Sequence, residues 1–360
     1  MNVGIVGCGV ISRNYAEHAG AFDSFQVVAC ADLIPESAVE LGDAQGLAVL
    51  SIDELLADPA IQVVLNLTPS GAHGAVTRAA LEAGKHVYTE KPLAKDVAEG
   101  LELLALADAR GLRIGCAPDI FLGSAYQAAR ALIDAGAIGE PLGVSAAMLV
   151  GGPNAWHPNP EQFFSDGAGP LLDMGPYYLT AVVALLGPVR RVAGFTSVRR
   201  PEREIMAGPR AGERFAVTTP THASVAMELD GGVTVSYVAS FEATARYICD
   251  FEIHGTERSL LLPDPNAFGG ELRIRQSRGD WEEIRYTGGG ATETRGIGLQ
   301  DMVDAIAEGR EHRASGRLGL HVIDAGRSIL RAADEGRTVA VETTVAKPEP
   351  LAETADVARD

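Results

Sequence analysis

The first 118 residues alternate two kinds of pattern. Short apolar runs at 2–7, 26–31, 62–67, 86–89 and 113–116 read as strands, with a weaker one at 47–51. Between them, stretches such as 72–83 and 98–109 place apolar residues at helical spacing. Strand and helix in turn imply a parallel sheet covered by helices on both faces. After Pro118 the pattern changes. Residues 124–135 form a helical pattern closed by Gly136, and 171–186 form a second that stops at Gly187 and Pro188. Strand-like segments follow at 224–229, 233–240, 247–254 and 259–262, the first two joined by the turn Asp230-Gly231-Gly232. They predict a largely antiparallel sheet. Two late helical stretches, 299–308 and 318–335, complete the pattern. The predicted division is a first domain at 1–118, a second at 119–346 whose late helices are free to pack back on the first, and a loose polar tail at 347–360. Residues 201–214, rich in charge, Pro and Gly, read as a surface excursion.

Composition narrows the function. The chain has 360 residues and a formal charge of −18 from 30 basic and 48 acidic side chains. Such a field repels phosphate backbones, so nucleic acid is not expected as a partner, and nothing in it calls for a membrane surface. A small, mostly neutral substrate suits it better. The four cysteines, Cys8, Cys30, Cys116 and Cys249, have no CxxC or Cys/His spacing. They predict reduced, packed thiols, with neither metal nor disulfide. The first residues enter a strand pattern at once, without a basic segment or signal-peptide core, and a cytoplasmic protein is expected.

The first strand runs into Gly7-Cys8-Gly9-Val10-Ile11-Ser12. Gly7 permits a tight turn, and Gly9 lets a pyrophosphate approach the backbone. The helix beginning at Val10 and Ile11 offers free N–H groups and the positive end of its dipole. Ser12 stands where the fingerprint has its third glycine, and it is small enough for helix–strand packing. Asp32 ends the second strand, where the adenosine ribose of a dinucleotide would lie. A carboxylate there accepts from both ribose hydroxyls and repels a 2′-phosphate, and residues 33–36 supply no arginine to hold one. NAD is therefore expected over NADP; the plainer reading is a helix that merely begins with glycines. Thr68 and Pro69, after the fourth strand, would sit near the nicotinamide half. His73, in the next helix's first turn, taken alone reads as a capping or packing residue ahead of a ligand, and stays in the candidate cofactor set.

The combination of GIVGCGVIS, Asp32, NLTPSGAHGAVTRAALEAGKHVYTEKPLA and GPLLDMGPYY resembles the glucose–fructose oxidoreductase/inositol dehydrogenase/rhizopine catabolism (Gfo/Idh/MocA) family. The resemblance extends over nearly the whole chain, to IHGT at 253–256. It implies an N-terminal Rossmann domain, a doubly wound parallel sheet, followed by an α/β domain with a large, mostly antiparallel, open-faced sheet. It also implies a dehydrogenase acting on a secondary alcohol or ketone of a sugar or cyclitol with NAD or NADP. Carried over by motif, Lys91 of Glu90-Lys91-Pro92 would point into the site, with Glu90 and Lys91 close to the cofactor. Ligands of open parallel sheets bind outside the strand carboxyl ends, which favours this reading over a solvated turn. The family pattern D-x-G-x-H stands here as Asp173-Met174-Gly175-Pro176-Tyr177. On a helix, positions four apart share a face. Tyrosine replaces the expected histidine, the easier base near neutrality. Branches resembling glucose–fructose oxidoreductase and the dimeric dihydrodiol dehydrogenases also carry tyrosine here. The resemblance thus implies Tyr177 as proton donor or acceptor, Lys91 as its tuner and Asp173 as the group that orients a hydroxyl. The roles of Lys91 and Tyr177 are interchangeable on this reading.

Further substrate contacts are expected from Trp156 and His157 in the Gly/Pro-rich loop GGPNAWHPNP, since an indole face stacks on a pyranose and a loop imidazole can bond a hydroxyl. An anchored surface loop is the alternative. Asp119 at the domain crossover and His222 at the start of a strand complete the candidate set, against capping or solvent exposure. The leading expectation is an NAD-dependent sugar or cyclitol dehydrogenase. The alternatives are an NAD-dependent glycoside hydrolase using transient oxidation, and a non-catalytic sugar- or NAD-binding regulator. An open-faced sheet exposes apolar surface unless a second subunit covers it, so a homodimer or homotetramer is expected.

Overall fold

Strands buried on both faces need apolar residues without alternation, and Val3, Ile5, Val6, Val63, Val64 and Val87 are all fully enclosed. The computed structural model describes residues 1–244, 247–287, 294–351 and 356–357. The chain divides into two units: Met1–Gly123 with Gly290–Ile323, and Ser124–Gly289 with Asp324–Asp360.

In the first unit, β1 (Asn2–Val6), β2 (Gln26–Ala31), β3 (Ala48–Val49), β4 (Val63–Asn66), β5 (His86–Thr89) and β6 (Ile114–Cys116) pair in parallel in the order β3-β2-β1-β4-β5-β6. This is the doubly wound order, and its reversal between β1 and β4 opens a crevice at the strand carboxyl ends. The helices α1 (Val10–His18), α2 (Pro35–Gln45), α3 (Ile52–Ala57), α4 (His73–Glu82) and α5 (Val97–Ala109) alternate with the strands. A capping box starts α3: the Ser51 hydroxyl accepts from Glu54 N, and the Glu54 carboxylate accepts from Ser51 N.

The second unit opens with α6 (Ser124–Asp134) and β7 (Pro141–Leu149). The helical pattern expected at 171–186 is divided into α7 (Gly169–Asp173) and α8 (Gly175–Leu186). Pro176 is the cause, because its ring has no N–H and clashes with the carbonyl four residues back. Then come β8 (Val189–Ser197), β9 (Glu202–Glu204), β10 (Arg214–Ala216), β11 (His222–Leu229), β12 (Thr234–Ser240), β13 (Ile248–Gly255), β14 (Arg258–Leu262), β15 (Arg273–Gln276), β16 (Glu282–Glu283), β17 (Tyr286–Thr287) and β18 (Val339–Ala340). Nine of these form one sheet, β16-β15-β14-β13-β7-β12-β11-β8-β18, in which β7 and β12 run parallel and every other pairing is antiparallel. Outside it, β17 pairs with β19 (Asp356–Val357). One face is covered by helices, with Tyr178 of α8 stacked on Tyr237 of β12 at 5.0 Å and Tyr126 of α6 edge-on to Phe251 of β13. The other carries Ser145, Ser224, Ala226 and Ser236 around an exposed Phe195.

Two expectations change here. Residues 201–214 form the β9–β10 hairpin, and its Arg203 is buried, donating to the carbonyls of Gly151 and Phe241 and to Asn154 Oδ1. Its partner Glu242 lies 3.0 Å away. Burial alone would push the Glu242 carboxyl up; the Thr221 hydroxyl and the guanidiniums of Arg203 and Arg200 together hold it below the ordinary range. The tail is also tied down as far as residue 351, because Arg130 Nη1 donates to Pro348 O at 2.7 Å and Leu351 N to Gln127 Oε1 at 2.8 Å.

The chain re-enters the first unit through α9 (Ile297–Glu308) and the start of α10 (Gly316–Glu335). Leu320 and Ile323 of α10 join the core formed by Leu55, Leu81, Val87, Leu103 and Ile114. Near them His312 is enclosed, with Nε2 2.9 Å from Ile114 O. Burial pushes the pKa of His312 and His86 below the ordinary value. Their neutral forms belong to the folded state, so the stabilisation is complete above about pH 6.5 and is lost as the pH falls through the lowered values. Thermal unfolding measured from about pH 8 to about pH 5 should show this decline. His312→Gln, which keeps a donor for Ile114 O, should make it shallower; an unchanged slope would show that His312 does not contribute.

Candidate active site

The site begins where β1 and β4 diverge. Gly7 has φ +100°, and a Cβ there would lie 2.6 Å from the backbone of Leu67 and Thr68. Only glycine satisfies both demands. At Gly9, by contrast, a Cβ would meet nothing within 4 Å, leaving the open space a pyrophosphate needs over the start of α1. Val10 is exposed there and Ile11 half-buried. Asp32 is fixed by two backbone donors, Cys8 N at 2.6 Å and Ile34 N at 2.8 Å, so its carboxylate is tied to the glycine loop. The donor loop, the open space and the anchored carboxylate fit NAD.

After β4, Thr68 Oγ1 donates to Asn66 Oδ1 at 2.7 Å, and the buried Asn66 amide in turn holds His73 O and Thr77 Oγ1. His73 does not reach the crevice. It is 1% exposed, with Nδ1 2.7 Å from Pro92 O and Nε2 2.7 Å from Thr68 O. The ring joins the backbone after β4 to the backbone after β5 and keeps no surface for a cofactor. Pro69 follows Thr68 and leads into a 3-10 turn at Ser70–Ala72.

Glu90 and Lys91 leave the end of β5. Lys91 is half-buried, and Glu90 is 8% exposed. Glu90 Oε1 accepts from the Tyr15 hydroxyl of α1 at 3.0 Å, and Oε2 from Lys91 N at 3.2 Å. Arg295, which sequence reasoning missed, stands 3.6 Å from Glu90 Oε1. Its only sequence signal is a cation set beside Gly296 and Gly298 where a helical pattern begins. Asp119, expected to face substrate, is fully buried and its Oδ2 accepts from Gly298 N at 2.9 Å. It serves the first turn of α9 and is withdrawn from the substrate set. Burial pushes its carboxyl above the usual range, against that N–H and the Arg295 charge.

The other candidates lie in the second unit. Asp173 closes α7 and is half-buried; Tyr177 is buried in the first turn of α8, with its N–H on Met174 O at 3.1 Å. The two are close in the chain but do not share one helix. Tyr178, the next residue, packs on the sheet through Tyr237. Trp156 is 67% exposed, its ring 5.5 Å from His157 and 6.5 Å from Phe163. His157 Nδ1 accepts from Asn159 N. His222 opens β11 beside Ser224 on the outer face, because the buried Ala223 between them takes the helix-covered side. That placement removes it from the face where α8 packs.

Residues 1–117 match the family model described as an oxidoreductase family NAD-binding Rossmann fold, and residues 126–261 match the GFO/IDH/MocA C-terminal domain. The dTDP-3,4-didehydro-2,6-dideoxy-alpha-D-glucose 3-reductase of Streptomyces violaceoruber is 30% identical over 291 residues, covering 79% of this chain and 80% of its own length. The chain belongs to the Gfo/Idh/MocA oxidoreductases. Another member, the 1,5-anhydro-D-fructose reductase of Ensifer adhaerens, is 26% identical over 94% of this chain and 98% of its own. A solved levoglucosan dehydrogenase in complex with NADH and L-sorbose superposes with a TM-score of 0.84 at 25% identity, covering 95% of this chain and 99% of the other. Membership accounts for the two sheets and the cofactor, and this Gfo/Idh/MocA chain is an NAD-binding oxidoreductase. Among the described residues no group of side chains has metal-ligand geometry, and no helix is long and apolar enough to cross a membrane.

The anchored Asp32 yields a direct test. Asp32→Asn keeps an acceptor for Cys8 N–H but loses the charge. NAD affinity, followed by calorimetry, should fall about 10-fold or more, with discrimination against NADP narrowing alongside. An unchanged preference would place the ribose elsewhere.

Proposed function

We propose that this chain transfers hydride between NAD and a secondary alcohol or ketone of a sugar, cyclitol or sugar derivative. The observation that carries the reading is Lys91, half-buried at the carboxyl end of β5 and fixed through its backbone to the buried Glu90. Bound NAD supplies the acceptor or donor of hydride at its nicotinamide ring. Lys91 and Tyr177 handle the proton: the phenol of Tyr177 exchanges it with the reacting hydroxyl, and the Lys91 ammonium favours the phenolate. Asp173 accepts from a neighbouring hydroxyl and fixes which carbinol is presented. Trp156 offers an apolar ring face for the C–H side of a pyranose, and His157 a partner for one hydroxyl. The small residues around Phe195 on the outer sheet face suit a second copy of the chain, which supports a homo-oligomer.

Incubation with NAD and myo-inositol, D-xylose or levoglucosan, followed by NADH absorbance, tests the reading. On whichever substrate turns over, Lys91→Met and Tyr177→Phe should each lower kcat/KM by about 10²- to 10⁴-fold. Asp173→Asn should act on KM and kcat together. Near-normal turnover in Lys91→Met would remove the assignment. Aglycone release from an aryl glycoside without net NADH would favour the hydrolase.

A further inference from the structure

The segment ahead of α9 brings a guanidinium to the carboxylate that adjoins Lys91. A Cβ on Gly298 would lie 2.3 Å from the Tyr88 hydroxyl and 2.7 Å from Asp119 Cβ, so the missing side chain lets the start of α9 press against both. Asp119 secures this approach through Gly298 N. Arg295 is thereby held with Nη1 3.6 Å from Glu90 Oε1, the two side chains only 16% and 10% exposed. Opposite charges at that depth interact more strongly than a surface pair. The Tyr15 hydroxyl and the Lys91 backbone N–H, which also meet the Glu90 carboxylate, are neutral donors. With those alone no opposite charge would balance the carboxylate, which lies against the backbone of Lys91.

We infer that Arg295 is a positioning residue for Lys91: by compensating Glu90 it limits the hold of that carboxylate on the Lys91 ammonium and leaves the ammonium to the reacting oxygen. The inference rests on the proposed proton-handling role of Lys91. The titratable and charged groups around Glu90 are Tyr15 from α1, His73 from α4, Tyr88 and Lys91 on its own strand and exit, Cys116 and Asp119 at the end of β6, and Arg295. Burial raises the Tyr15 phenol and the Asp119 carboxyl above their ordinary ranges, and Arg295 opposes both shifts. Removing Arg295 takes away a like charge and uncovers an opposite one. Both changes raise the proton affinity of Lys91.

The chain has four lysines, Lys85, Lys91, Lys95 and Lys347, which makes the test direct. Reductive carbon-13 methylation and an NMR titration of the full chain follow each, with Lys91 assigned by the signal lost in Lys91→Arg. Arg295→Met should raise the Lys91 titration by about half a unit or more, and Arg295→Lys should restore it. Glu90→Gln in the Arg295→Met background should bring it back down. The pH profile of kcat/KM on the substrate found above should move with the titration. An unmoved or lowered Lys91 titration in folded Arg295→Met overturns the inference. Should that variant fail to fold, Glu90→Gln alone must lower the Lys91 titration, and an unchanged value overturns it equally. Near-normal turnover in Lys91→Met would instead remove the functional reading while the titration shift persisted, so the two failures are separable.

Discussion

A carboxylate taken out of water must be met by donors or by opposite charge, and the cofactor unit is organised around that demand at the ends of β5 and β6. Glu90 and Asp119 are both enclosed. One is met by a phenol, a backbone N–H and a guanidinium; the other is met at Oδ2 alone by the first turn of α9. Paired burial of this kind is poor evidence for added stability, since desolvation consumes much of the attraction. What it supplies is a defined geometry. The lysine at the strand exit has its backbone fixed by the Glu90 carboxylate.

The second unit solves a similar problem in another way. Its nine-stranded sheet needs helices on only one face, and Tyr126, Tyr178, Tyr237 and Phe251 fill the layer between. Pro176 divides the covering helix just where Asp173 and Tyr177 lie. Arg203 and Glu242 join the hairpin at β9 and β10 to the loop that carries Trp156, so that loop depends on a buried ion pair at its base.

Local patterns were the legible part of this protein. The parallel sheet could be read because strands enclosed on both faces are apolar throughout, and Gly7 and Asp32 because their tasks follow from position within a single strand–turn–helix. Pro176 offered a readable warning of the helix break, which the apolar spacing of 171–186 concealed. β7 and β8 escaped notice because their outer faces carry Gly, Ser, Ala and Arg rather than β-branched residues. Asp119 was misplaced because a polar residue beside a site looks the same in sequence whether it meets a ligand or a backbone amide, whereas the packing role read for His73 is the one its buried ring takes. Arg295 was invisible, since residues 124–289 of the second unit separate it from its partner in the chain.

That separation has a consequence for how the molecule is made. The cofactor unit is assembled from Met1–Gly123 and Gly290–Ile323. As the ribosome works from the first residue onward, Glu90 and Asp119 emerge long before the arginine and the amide that satisfy them. During that interval the nascent sheet carries two carboxylates that still need water, and its far edge lacks the cover that α9 and α10 later provide. The dinucleotide fold, whose strands all precede the second unit, can therefore be among the last parts of the polypeptide to close.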